Sequence, residues 1–164
     1  MALVRLLDAE LKAYNGDADA FHSQFNSASS VTHVVVVWED DVASSTEDGR
    51  CGSRAVACGG LRVGSSSSSS SGDSVGSASS SSGAEVKRMY VVTDRRGKGV
   101  AGVVLTELER WATELGLSRL FLETGRTLPG AVRLYTKAGY VEIPNYPPYV
   151  DDPISACFEK QLLR

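Results

Sequence analysis

The sequence predicts an α/β protein with one mixed β-sheet and helices on both of its faces. Three segments rich in β-branched or apolar residues follow one another over 31–39, 53–63 and 84–92. Beyond residue 97, segments with helical periodicity alternate with short apolar runs. Strands that first follow one another directly and later alternate with helices are typical of a mixed sheet.

The first predicted element is an amphipathic helix. Apolar residues recur at steps of three and four between Leu3 and Tyr14, and Asn15-Gly16 provides a stop signal. Residues 17–30 are mostly polar, with two phenylalanines four positions apart. This pattern fits either a short second helix or an ordered loop.

The strands and helices that follow are marked by turn residues. Turn signals over 40–52 separate the first two strands and indicate a hairpin. The remaining elements are a third strand over 84–92, a helix over 97–115, a strand over 119–124, a helix over 128–138 and a last strand over 155–162. Residues 145–153 are too rich in proline for a strand, so they form either the rim of a site or a plain connection.

The chain length predicts one domain, interrupted by a serine-rich insertion. The 164 residues are 42% hydrophobic, which is enough for one core over 1–164. Thirteen of the eighteen residues in 65–82 are serine, and such a tract is too polar to bury. We expect a disordered insertion over about 64–83, or else a phosphorylated or partner-binding segment. The tip of a hairpin tolerates such a length best.

Charge and cysteine usage exclude several classes of protein. The net charge of −3 provides no overall positive field, so we expect neither nucleic acid nor a membrane as partner. The three cysteines form no CxxC pair, which argues against a zinc or other metal site and against a disulfide scaffold. The longest apolar run, 34–38, is far too short to span a membrane. These observations predict a cytoplasmic protein, and a homodimer is compatible with them.

One segment combines a strand, a basic turn and the start of a helix. The strand ends near Val92, Arg95, Arg96 and Lys98 follow, and the next helix begins close by. Unpaired amides and the positive end of a helix dipole meet in such a turn, and this is favourable for a phosphate group. The glycines at 97 and 99 let the backbone approach the anion closely.

The order of several motifs resembles the GNAT superfamily of N-acetyltransferases. Residues 96–101 match the family pattern [Q/R]xxGx[G/A] after a strand. Matching segments also occur in the family's order at 58–62, 85–91, 122–125, 134–140 and 155–160. The resemblance covers about 52–164 without the serine tract, and it implies a GNAT-type sheet. Members of the family usually begin with a strand before the first helix, so the resemblance also implies that this first strand is missing or that the sequence is truncated at its N-terminus.

The resemblance implies acetyl-CoA as co-substrate and identifies the residues that bind it. The cofactor of the family lies where two neighbouring strands splay apart. The backbone of Met89, Tyr90 and Val91 would pair with the pantetheine arm, while the side chains of Met89 and Val91 pack in the sheet. The amides of six consecutive residues would hold the pyrophosphate: Arg96, Gly97, Lys98, Gly99, Val100 and Ala101. Leu128 replaces a polar residue that usually contacts the cofactor arm.

The resemblance also implies three catalytic candidates. Tyr135 occupies the position of a tyrosine that donates a proton to the coenzyme sulfur, although it could simply pack on the sheet. Glu85 occupies the position of a general base, and its alternative is an ion pair with a cation of a neighbouring strand. Strand alternation would put Glu85 on the side of Lys87, Met89 and Val91. Glu123 is the second candidate for the base, or it orients the substrate.

The activity that follows is acetyl transfer from acetyl-CoA to a primary amine of a small molecule or a protein, by direct attack in a ternary complex. The alternative is a non-catalytic module that binds acyl-CoA or has a regulatory role. Arg62, Lys87 and Arg88 form a second basic group, which would either select an acceptor with a carboxylate or consist of solvated charges.

Overall fold

The computed structural model describes residues 2–16, 31–45, 51–64 and 83–162. The predicted helix or loop over 17–30 lies outside the described residues. The serine-rich insertion also lies outside them, except for Gly64 and Gly83 at its two ends.

The described residues form three helices and six strands. The helices are α1 (Ala2–Asn15), α2 (Val100–Glu114) and α3 (Pro129–Lys137). The strands are β1 (His33–Ser45), β2 (Cys51–Val63), β3 (Gly83–Val91), β4 (Arg119–Gly125), β5 (Val141–Ile143) and β6 (Ser155–Gln161). A 3-10 turn, Thr93–Arg95, follows β3. Sequence patterns missed only β5, because three residues are too few to show a period.

The strands form one mixed sheet in the order β1-β2-β3-β4-β6-β5, flanked by helices, so the predicted fold class is confirmed. The predicted β1–β2 hairpin is antiparallel, β3 and β4 are parallel, and β6 runs antiparallel to both β4 and β5. The serine tract connects β2 to β3, which are neighbours in the sheet.

The helix predicted over 97–115 begins three residues later than expected, at Val100. Gly97 and Gly99 have φ values of +73° and +82°, which are outside the helical region. These two residues therefore belong to the turn that precedes α2.

Two compact units divide the chain. Unit 1 contains Met1–Leu61 and Lys87–Leu108, and unit 2 contains Arg62–Val86 and Glu109–Arg164. The assignment of 1–164 to a single domain stays a prediction. Among the described residues, no helix combines the length and apolarity needed to cross a membrane.

Each unit buries its own apolar residues. In unit 1, α1 packs against β2 and the end of β3 through Leu3, Leu7, Val56, Cys58, Tyr90 and Val92. In unit 2, alternate residues of β4 are buried, among them Leu120 and Leu122. β6 runs beside β4 over its whole length and buries Ala156, Cys157 and Phe158.

Candidate functional site

The connection from β3 to α2 is a turn that depends on its glycines. Gly97 and Gly99 adopt left-handed backbone conformations, which glycine reaches without steric cost. A Cβ atom at either position would have no heavy atom within 4 Å. Both glycines are therefore required by the backbone conformation and not by crowding.

The turn presents free amides at the start of α2. The carbonyl of Gly99 accepts hydrogen bonds from the amides of Gly102 (2.9 Å) and Val103 (3.2 Å), so Gly99 is the N-cap of the helix. Within the described chain, the amides of residues 97–101 have no hydrogen-bond acceptor. A row of unused amides at a helix N-terminus fits a phosphate group.

The basic side chains of the turn are mostly neutralised by acids of unit 1. Arg95 pairs with Glu39 (2.6 Å) and Asp94 (2.8 Å). Arg96 binds Glu10 (2.7 Å), and its Nε donates to the carbonyl of Val91 (2.9 Å). The sequence predicted that all three cations would add positive charge for an anion. The structure instead uses Arg95 and Arg96 to hold the turn in place and leaves Lys98 exposed.

These ion pairs stabilise the charged form of the acids. Hydrogen bonds from Arg96, Arg95 and Arg54 lower the pKa values of Glu10, Glu39 and Asp94, respectively, below their ordinary range. The turn is thus tied both to α1 and to β1.

The strand residues expected to bind the cofactor arm precede this turn. The described pairing of β3 with β4 joins Gly83–Glu85 to Arg119–Phe121, so it does not use the backbone groups of Met89, Tyr90 and Val91. Tyr90 is buried in the core of unit 1. Met89 lies against Gly59, where a Cβ atom would collide with the Met89 sulfur. Its side chain therefore packs in the sheet, as expected.

The strand is not regular throughout. Arg88 has a φ of +59°, which a regular β-strand does not adopt. The alternation expected to continue unbroken from Glu85 to Val91 is therefore interrupted at Arg88.

The second basic group predicted from the sequence does not consist of solvated charges. Arg62 pairs with Glu85, Arg88 pairs with Asp8 of α1, and Lys87 is only 7% exposed. These three residues are therefore buried or ion-paired within the protein. Arg62 belongs to unit 2, whereas Lys87 and Arg88 belong to unit 1.

Glu85 is held by two partners in unit 2. It is 1% exposed, its Oε2 accepts from Arg62 of β2, and its Oε1 accepts from the Tyr146 hydroxyl at 3.0 Å. This is the ion pair that the sequence left open as the alternative to a base. The role of Glu85 as a base stays a prediction.

Tyr146 is a residue of this site that sequence reasoning missed. It lies in the proline-rich connection before β6, and its ring makes edge contacts with Phe121 and Tyr149. The Asn145 amide nitrogen donates to the carbonyls of Tyr149, Asp152 and Ser155, at 3.0, 3.2 and 3.3 Å. No local pattern predicts these contacts, because they depend on how a loop folds back onto the sheet.

Glu123 lies on β4 and interacts with the start of β6. The Ser155 hydroxyl is 2.6 Å from Glu123 Oε1 and 2.8 Å from Asp152 Oδ2. The amide of Ile154 donates to Asp152 Oδ1 at 3.1 Å. Sequence reasoning identified Glu123 but missed Ser155 and Asp152, which have no motif of their own.

Tyr135 of α3 is also in unit 2. It is 6% exposed, and its ring is near Tyr140 and Phe158. Burial, and to a smaller extent the charge of Glu123, raise the pKa of Tyr135 far above its ordinary value. The side chain is therefore protonated throughout the neutral pH range. Of the two neighbouring tyrosines, Tyr140 is the one whose buried hydroxyl has no hydrogen-bond partner among the described residues.

No metal centre accompanies these groups among the residues that the structure describes. None of the described His, Cys, Asp and Glu side chains form a group of three or more that could hold an ion.

Comparison with known proteins identifies the family. Residues 5–140 match the family model described as "Acetyltransferase (GNAT) family". Because this match covers most of the sequence, the chain belongs to the GNAT family. The motif resemblance is thereby confirmed.

Two curated proteins are similar to part of the chain. An IAA acetyltransferase from Azospirillum brasilense is 40% identical over 78 residues, which are 48% of this chain and 51% of that protein. An uncharacterized N-acetyltransferase from Schizosaccharomyces pombe is 36% identical over 70 residues, covering 43% and 41% of the two chains. The chain thus spans about half the length of the curated relatives it matches.

Solved structures share the fold. An acyl-CoA N-acyltransferase from Klebsiella pneumoniae is 26% identical with a TM-score of 0.62, over 99% of this chain and 88% of that chain. A protein from Mycobacterium tuberculosis, solved in complex with CoA, is 17% identical with a TM-score of 0.54, over 80% and 76%. The second likeness shows the fold alone.

Proposed function

We propose that the protein is an acetyl-CoA-dependent N-acetyltransferase. It transfers the acetyl group to a primary amine of a small molecule or a protein, by direct attack in a ternary complex. The observation that carries this proposal is the row of unused amides over 97–101 at the start of α2, in a chain of the GNAT family. A cytoplasmic location and a homodimer stay predictions.

The co-substrate is assigned to unit 1. In this proposal the amides of Arg96, Gly97, Lys98, Gly99, Val100 and Ala101 hold the pyrophosphate. The amides of 97–101 are the ones supported by the geometry, because the amide of Arg96 already donates to the carbonyl of Thr93. The Arg96 side chain orients the turn, and the exposed Lys98 contributes positive charge. The backbone of Met89, Tyr90 and Val91 pairs with the pantetheine arm.

The chemistry is assigned to unit 2. Acetyl-CoA supplies an activated thioester and a thiolate leaving group. Tyr135 donates its proton to that thiolate, since its raised pKa keeps the hydroxyl protonated at neutral pH. This assignment is supported by the place of Tyr135 in the family motif over 134–140 and by its protonated hydroxyl.

Glu123 is our choice for the group that accepts the proton of the amine. Glu85 has both carboxylate oxygens engaged, by Arg62 and by Tyr146. Glu123 also accepts a hydrogen bond, from Ser155, but its charge acts on Tyr135, so it lies near the proposed acid. We therefore assign to Glu85 the role of fixing Tyr146 and Arg62, and to Glu123 the role of base.

The test is a thiol-release assay. Protein, acetyl-CoA and a panel of primary amines are mixed, and free thiol and acetylated amine are measured. We expect amine-dependent release of thiol. CoA binding by calorimetry with no release across a panel of small amines and amine-bearing peptides would support the non-catalytic module instead. Absence of CoA binding would contradict the assignment of the 97–101 turn.

A further inference from the structure

Strand β1 forms one edge of the sheet. It is the first strand in the order β1-β2-β3-β4-β6-β5, and within the described part of the chain only β2 pairs with it. Its outer row of backbone N–H and C=O groups therefore has no described strand beside it. Such a row is a template for pairing with a further strand.

Proteins usually protect an edge of this kind, and the first half of β1 lacks the usual protection. Lysine, proline and inward-pointing charges at an edge discourage pairing, and so does a short edge strand. Residues 33–38 read His-Val-Val-Val-Val-Trp and contain neither lysine nor proline nor acid. β1 has 13 residues, whereas β5 at the other edge has only three. The edge of β1 is thus open to pairing.

Alternate side chains of this half are apolar and exposed. Val34 is 50% exposed, Val36 is 39% exposed and Trp38 is 61% exposed. Because side chains alternate between the two faces of a strand, these three residues lie on the same face. A contiguous row of exposed apolar side chains marks an interaction surface, whereas single scattered ones do not.

The row is complementary to itself. When two copies of β1 pair antiparallel about a two-fold axis at Val36, this residue lies opposite its own copy and Trp38 lies opposite Val34. The three exposed apolar residues then meet only one another, and pairs of an aromatic with a β-branched residue are favourable across strands. A two-fold contact of this kind is closed, so the assembly stops at two copies.

The charges near the axis are compatible with the same register. The acids at 39–41 would lie opposite residues 31–33, which contain no acid. No carboxylate therefore faces another carboxylate across the axis. The side chain of Glu39 is in addition neutralised by Arg95, at 2.6 Å.

The apolar surface continues from β1 onto the neighbouring helix. A cleft between β1 and the start of α2 is lined by Val35, Val37, Gly102 and Val103, all of unit 1, and Val103 is 60% exposed. A two-fold axis perpendicular to the sheet leaves both copies of α2 on the same face. The two clefts would therefore lie on either side of the joined strands, and pairing would cover apolar surface of both elements.

We propose that the edge of β1 binds β1 of a second copy of this chain, in an antiparallel register centred on Val36. The resulting homodimer has one sheet that continues from copy to copy. The self-complementary row and the distribution of the acids identify a second copy as the partner. This interaction goes beyond the proposed acetyl transfer and does not depend on it.

Sedimentation velocity of the full chain tests the pairing. We expect a species of twice the chain mass of 17.4 kDa. Val36→Lys places two ammonium groups opposite each other at the axis, so the Kd of the dimer should rise at least about tenfold. Val141→Lys is the matched control, because it makes the same change at a 63% exposed valine of β5, on the other edge of the sheet. Its Kd should equal that of the wild type.

A mixture of two variants tests the register. Val36→Lys and Val36→Glu should each be monomeric alone, because each brings like charges together at the axis. Mixed in equal amounts, they should form a heterodimer, because opposite charges then face each other. Recovery of the dimer in the mixture also shows that both variants fold.

Hydrogen exchange of the wild type gives a measurement that needs no variant. Amide protection over 33–38 should increase with protein concentration, because the ladder between the copies forms only in the dimer. Protection in β5 should stay constant and serves as the internal reference.

The possible results separate this contact from others. A wild-type chain that sediments as a monomer, or whose β1 protection does not change with concentration, would overturn the proposal. A dimer that survives Val36→Lys, or that is lost in Val141→Lys, would place the contact elsewhere and overturn it too. A mixture that stays monomeric would refute the pairing of Val36 with its own copy.

Discussion

At the scale of single residues, the protonation of Tyr135 is set by its surroundings. A buried phenol next to a carboxylate resists ionisation, because both the low polarity and the negative charge disfavour a phenolate. Such a group is a weak acid in its resting state. Its hydroxyl stays protonated in the neutral range, so the hydrogen is available to the departing sulfur.

Tyr135→Phe should therefore lower kcat by about 10²-fold and leave the Kd for CoA unchanged. Tyr140→Phe is the matched control, because Tyr140 is a buried tyrosine whose ring touches that of Tyr135. We expect its turnover to stay near wild type. Steady-state kinetics and calorimetry measure the two quantities, and a wild-type kcat in Tyr135→Phe would remove the acid role.

The turn glycines allow a second comparison. Gly99→Ala places a side chain at a φ of +82°, which costs about 1–2 kcal/mol and redirects the amides of the turn. We expect weaker CoA binding. Gly102→Ala lies inside α2, has nothing within 4 Å, and should stabilise the helix by up to about 1 kcal/mol with unchanged binding. Equal CoA affinity in both variants would argue against the turn as the phosphate site.

At the scale of elements, α1 supports the turn that we assign to the cofactor. It buries Leu3 and Leu7 against β2 and β3, and it presents Glu10 to Arg96. The buried leucines contribute most of the free energy that holds α1 in place, because the Glu10–Arg96 pair is largely exposed and exposed ion pairs contribute little.

Leu7→Ala should thus destabilise the protein by about 2–5 kcal/mol. Leu6→Ala on the same helix removes the same atoms from a side chain that is 48% exposed, so we expect a change below about 1 kcal/mol. Denaturant unfolding measures both. Similar losses in the two variants would mean that the buried face of α1 is wrongly assigned.

The acids that hold the turn also predict a response to pH. The folded-state pKa values of Glu10, Glu39 and Asp94 are lowered, so their contribution is complete above the ordinary carboxyl range and is lost as pH falls through the folded values. Unfolding free energy should decrease on acidification below about pH 4.5. Glu10→Gln should make this decrease shallower, whereas an unchanged slope would exclude a contribution from its pair with Arg96.

At the scale of the whole molecule, the serine tract connects two strands that are neighbours in the sheet. The entropy of closing a loop grows only slowly with its length, by about 0.6 kcal/mol for each doubling. An insertion at this position therefore costs little free energy.

Replacement of residues 65–82 by a short Gly/Asn turn should leave CoA binding and turnover unchanged and raise stability by about 1 kcal/mol. Calorimetry and thermal unfolding of the shortened chain against the full chain test this. Loss of CoA binding would show that the tract has a function beyond connecting β2 and β3.

The sequence by itself determined all of the described strands and helices except β5, their order and the glycine turn before α2. These features are local: the period of α1 is visible within 14 residues, and the turn needs only glycines at positions 97 and 99. It also determined the family, because motifs at fixed places along the chain match it. The late start of α2 was missed, since a helical pattern does not show where positive φ begins.

The tertiary structure alone decided which side chains meet. Arg96 pairs with Glu10, 86 positions away, Tyr146 reaches Glu85 across 61 positions, and Ser155 reaches Glu123 across 32. Such choices depend on strand register and on how the loop before β6 folds back, and neither is encoded in a local pattern. For this reason the sequence left Glu85 and Glu123 as two candidates for the base, and only the structure shows that Arg62 and Tyr146 engage Glu85.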